Sequence, residues 1–66
     1  VDIILRGRQI VISEQVKTAE IYSVNGQLLA TANNTNEMAT PGQKGIYIIR
    51  VTDNSGAQKV QKIAVQ

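Results

Sequence analysis

The 66-residue sequence has no cysteine, no histidine, no tryptophan and no phenylalanine, and only one proline. Without thiols no disulfide can brace the fold, and without imidazole or thiolate the ordinary zinc ligand sets are missing. The same gaps remove the histidine base that most serine and cysteine nucleophiles need. Tyr22 and Tyr47 are the only aromatic residues, too few for the ring platforms that carry sugars or single-stranded nucleic acid. No apolar run exceeds the four residues Ile46–Ile49, so no segment can span a bilayer. The opening Val1-Asp2-Ile3-Ile4-Leu5 lacks the basic and apolar regions of a signal peptide. The lack of cysteine suits an exported chain as well as a cytosolic one, so the redox compartment is not legible.

Seven Lys and Arg against five Asp and Glu give a net charge of +2. The basic residues are scattered as Arg6, Arg8, Lys17, Lys44, Arg50, Lys59 and Lys62, without the cluster that marks a nucleic-acid arm. Asp2, Glu14, Glu20, Glu37 and Asp53 stand apart and read as solvated charges at strand ends and turns, not as an acid and base pair. Gly42-Gln43-Lys44-Gly45 is no phosphate cradle, since such a loop needs Ser or Thr after the lysine and a following helix. Asn33-Asn34-Thr35 fits a glycosylation sequon, a three-letter pattern to which no role is assigned. No catalytic, cofactor-binding or metal-ligating residue emerges, and the chain reads as a non-enzyme.

What the chain does contain is period-two alternation broken by turn signals at short intervals, the pattern of an all-β domain. It predicts strands over Asp2 to Arg6, Gln9 to Ser13, Lys17 to Val24, Gln27 to Ala32, Glu37 to Ala39, Gly45 to Asp53 and Ala57 to Val65. The expected fold is a small seven-stranded antiparallel Greek-key, Ig-like sandwich. Gly7-Arg8 and Glu14-Gln15 are read as reversals, and Asn33–Asn36 as a polar loop. Asn25-Gly26 predicts a type I′ hairpin, and Asp53–Gly56 a second hairpin with Gly56 left-handed. Pro41-Gly42-Gln43-Lys44-Gly45 releases a β-branched run headed by Tyr47. That placement predicts a tyrosine corner, with the ring buried and the hydroxyl bonded to upstream backbone. Alternation then sends Tyr47, Ile49 and Val51 inward and Ile46, Ile48 and Arg50 outward, and puts Ile63 and Val65 in the core.

Read in order, Ala19-Glu20-Ile21-Tyr22-Ser23-Val24-Asn25-Gly26-Gln27-Leu28-Leu29, an Asn-rich gap, Pro41 to Val51 around Gly45-Ile46-Tyr47, and Lys59-Val60-Gln61-Lys62-Ile63-Ala64-Val65 form a recognisable series. From residue 17 to 66 it resembles the C-terminal sorting domain of type IX secretion. The resemblance implies a non-catalytic Ig-like module, residues 1–66, ending a larger exported protein of certain Gram-negative bacteria. It implies outer-membrane secretion machinery and an upstream cargo as partners, and a secreted or cell-surface destination. No cofactor, nucleic acid or membrane insertion is expected, and the module is expected to be a monomer. By position, Asn25, Gly26, Gly45 and Tyr47 become structural signature residues. Lys59, Lys62, Ile63 and Val65 become the recognition strand. The first strand departs from the family's common opening, which holds a Pro-Asn-Pro turn. A passive spacer or surface-interaction module of a secreted hydrolase or adhesin stays open beside the sorting reading.

Overall fold

The computed structural model describes residues 1–66, and every regular element in it is a strand. β1 spans Ile3–Arg6, β2 Gln9–Ser23, β3 Leu28–Ala39, β4 Gly45–Thr52 and β5 Gln58–Val65. All five belong to one antiparallel sheet. There are thus five strands where the sequence predicts seven. The second and third predicted strands are one continuous β2, and the fourth and fifth are one β3.

The physical reason lies in a bend shared by β2 and β3. β3 follows β2 along its length, but their register shifts between Val11 and Val16, where β2 holds extra residues. Opposite this bulge Asn34 takes a left-handed φ of 51°, and Gln15 Nε2 donates to the Asn34 carbonyl at 2.8 Å. Glu14-Gln15 and Asn33–Asn36 therefore bend the ladder without reversing it, as bulges do. Val16, at the bend, is completely buried.

The other edge of β2 is divided. β1 pairs with Gln9–Ile12 and β4 with Thr18–Ser23. The sheet curls at the bend, so that its first and second halves share one core instead of forming two separate sheets. The shortest Cα dimension is 15 Å, and the concave side of the curl holds one layer of side chains. That layer is Ile3, Ile10, Ile12, Val16, Ala19, Ile21, Met38, Tyr47, Ile49, Val51 and Ile63, with no buried polar residue. Val65 packs against it, half-buried. On β4 the alternation falls as expected, with Tyr47, Ile49 and Val51 inside.

Both hairpins use the same device. Gly26 N–H donates to the Ser23 carbonyl and Gly56 N–H to the Asp53 carbonyl, at 2.9 and 3.1 Å, with both glycines at φ 92°. Asn25 has no positive φ, so the first turn is not type I′. A turn over Val24-Asn25 is followed by left-handed Gly26 and the Ser23 N–H bond to the Gln27 carbonyl, the three-residue hairpin with a glycine bulge; a separate one-residue slip, with Leu29 extra, follows between Tyr22 and Ile21.

Asp53 seals the second turn: its Oδ1 accepts from Ser55 Oγ at 2.6 Å, Ser55 N–H at 2.9 Å and Ala57 N–H at 3.0 Å. These bonds, the Ser55 hydroxyl first, hold its carboxyl below the usual aspartate range. A folded pKa below the unfolded one means stability present above about pH 4 and lost as pH falls through the folded value. Thermal melts from pH 7 to pH 2 should show Asp53→Asn flattening that acid loss by lowering the neutral-pH melting temperature, because the amide oxygen still accepts but lacks the charge that strengthens the bonds. Parallel pH curves for both proteins would contradict this.

Candidate recognition strand and corner

The corner begins with a crossing. Thr40–Lys44 carries the chain from the end of β3, beside Arg8, over to the start of β4. Thr40 N–H and Oγ1 both donate to the Arg8 carbonyl, at 3.0 and 3.1 Å, fixing the near end. At the far end the Tyr47 hydroxyl donates to the Gln43 carbonyl at 2.8 Å while its ring lies in the core, 8% exposed. A phenol suits this position because one end is apolar and the other must be satisfied. The predicted corner is therefore present, four residues back from the ring.

Gly45 enters β4 at φ 152°, where a side chain is strained, and a Cβ there would lie 3.8 Å from the Tyr47 ring edge and hydroxyl. Space is adequate, so backbone strain decides. Gly45→Ala should cost about 1–3 kcal/mol in urea unfolding. Gly42→Ala, with no positive φ and open surroundings, should stay within about 0.5 kcal/mol. Equal costs would show that the backbone at residue 45 is unstrained.

On β5 the four residues singled out by sequence separate by parity. Ile63 is buried and Val65 half-buried. Lys59 leans toward β1, its Nζ donating to the Val1 carbonyl at 2.9 Å and lying 4.0 Å from Asp2 Oδ1. Gln61, which sequence reasoning passed over, does the same one step along, Nε2 to the Ile3 carbonyl at 3.1 Å. Lys62 points away from the core, exposed and without an ion pair. Alternation alone gives the parity. The contact to β1 could not be read, because it depends on the fold at the bend.

The outer face of β2, β4 and β5 carries a second cluster. Glu20 and Arg50 are direct cross-strand partners. Arg50 Nε and Nη2 both reach Glu20 Oε1, at 3.0 and 2.8 Å, and Nη2 also donates to the Tyr22 hydroxyl at 2.7 Å. The guanidinium carbon sits 5.3 Å from the Tyr22 ring centroid, within cation–π range. Glu20 is thus a mid-strand, paired carboxylate and not a solvated charge at a strand end. Tyr22 and Ile48 are half-buried there, and Leu28, Ile46 and Val60 are exposed.

Chemically the surface is sparse. Its two depressions measure about 110 and 120 Å³, against roughly 300–1,000 Å³ for small-molecule sites. No three metal-ligating side chains converge. Neither the curated proteins nor the solved structures include a significant match. A family model described as "Secretion system C-terminal sorting domain" matches residues 6–66. The match takes in the corner, both hairpins and all of β5, and begins at the last residue of β1. The chain accordingly belongs to the secretion system C-terminal sorting domains, a family of type IX secretion signals and not of catalysts.

Proposed function

We propose that this domain acts as an address. Joined to an upstream cargo, it directs that cargo across the outer membrane by the type IX machinery, to the cell surface or into the medium. The family match over residues 6–66 carries this reading. The framework supports it, with the Tyr47 corner and the Asp53 turn bounding β4, whose ladder to β5 runs in one continuous register. We read the sheet folded on itself as a five-stranded rendering of the Ig-like plan, and the domain as a monomer whose recognition features lie on β5.

A reporter fused upstream of residues 1–66, expressed in a host with type IX secretion, tests the proposal. The reporter should appear outside the cell, and should remain inside in a host lacking the machinery. Retention in both hosts would leave only a passive spacer.

A further inference from the structure

The sheet has three strands with a free edge, and two of these edges are interrupted, β1 at the Val1 and Ile3 carbonyls and β3 over Asn34–Glu37. On β1 the outward carbonyls of Val1 and Ile3 are occupied by Lys59 and Gln61. On β3 the left-handed Asn34 interrupts the edge and its carbonyl is taken by Gln15. Thr35 Oγ1 then accepts the Glu37 N–H and donates to the Glu37 carbonyl, at 3.2 and 2.7 Å. Side chains capping backbone groups and bulges are the means by which sheets avoid unwanted pairing.

β5 has no such protection. It pairs with β4 at eight successive positions without a bulge, and contains neither glycine nor proline. Asp53 N–H donates to the Ala57 carbonyl. Alternation from that bond turns the N–H and C=O groups of Lys59, Gln61, Ile63 and Val65 toward β4. Those of Gln58, Val60, Lys62 and Ala64 face outward, and no loop or side-chain hydrogen bond within the chain uses them.

We propose that this edge accepts an extended strand from a protein of the secretion machinery, with a carboxylate opposite Lys62 and an aliphatic side chain opposite Val60. The inference rests on the sorting reading and names how β5 is recognised. Main-chain hydrogen bonds would supply affinity and alternate side chains the choice of partner, as in strand addition generally. Charge selects the occupant. Lys62 has no counter-ion, the neighbouring Arg50 is already satisfied by Glu20, and β5 contains no acidic residue. A second copy pairing through β5 would therefore leave Lys62 unmatched, whereas an acidic strand would complete it.

The test uses the reporter fusion with Val60→Pro and Lys62→Pro. Each proline removes an outward N–H and no ladder bond, a placement that edge strands tolerate. Export should fall about tenfold or more in both, because an added strand loses a main-chain bond, while the purified proteins melt as single folded species. Lys62→Glu should also lower export and Lys62→Arg preserve it. Wild-type export by folded proline variants would overturn the proposal and leave the sorting reading intact. If even the unaltered domain moves no reporter, both fall.

Amide exchange on the unaltered protein gives a second reading that does not depend on how the variants fold. Val60 and Lys62 amides should gain protection with outer-membrane vesicles from a competent host, and not with vesicles from a strain without the machinery. Unchanged exchange, or protection that rises with protein concentration alone, would reject the proposal, the latter in favour of self-pairing.

Discussion

Replacing Tyr47 with alanine should abolish the folded state or bring it close to collapse. The ring is one of the largest side chains in a core of eleven buried residues, and truncating a buried aromatic costs about 3–5 kcal/mol. A 66-residue domain has roughly 3–10 kcal/mol in total, at about 0.05–0.15 kcal/mol per residue. Tyr47→Phe separates the two parts of the effect. It keeps the ring but leaves the Gln43 carbonyl without its donor, so it should cost about 1 kcal/mol. Urea unfolding followed by circular dichroism reads both. A Tyr47→Ala protein with an unshifted midpoint would mean that the corner does not organise the crossing from β3 to β4.

The second large effect is expected at Ile49. It lies directly opposite Ile21 on the inner face, and both are fully buried. Ile49→Ala should cost about 2–5 kcal/mol. Val60→Ala, at a position 61% exposed, should change stability by no more than about 0.5 kcal/mol. The contrast checks which face of the sheet is the core, because slipping β4 by one residue would exchange its inner and outer sets. Similar costs at the two sites would refute the register.

Much of this architecture was legible locally. Alternation along Gly45–Thr52 assigned both faces of β4, and the Pro-Gly loop ahead of Tyr47 pointed to the corner, because each depends on neighbours in sequence. The strand count was not legible. Glu14-Gln15 and Asn33–Asn36 carry the residues that usually mark turns, yet here the first pair sits in a bulge of β2 and the second group on the β3 stretch beside it. Such residues are tolerated mid-strand at a solvated edge, and only the pairing of β2 with β3 reveals that they face each other. Turn type was missed for a similar reason. Asn-Gly allows positive φ at both residues, but the Ser23 hydroxyl receives the Gln27 N–H at 3.1 Å and draws Val24 and Asn25 into the turn. Of the β5 positions, parity followed from the sequence. The bonds from Lys59 and Gln61 to β1 did not, because they join residues 58 apart.

The long β2 has a consequence for how the domain can come apart. β1, β3 and β4 all take their ladder bonds from it, and β5 takes its own from β4. The β2 backbone is thus the common support of both halves of the sheet. A pull that broke β2 would undo the ladders of three strands at once, whereas one that stripped only β5 would leave every pairing of β2 in place.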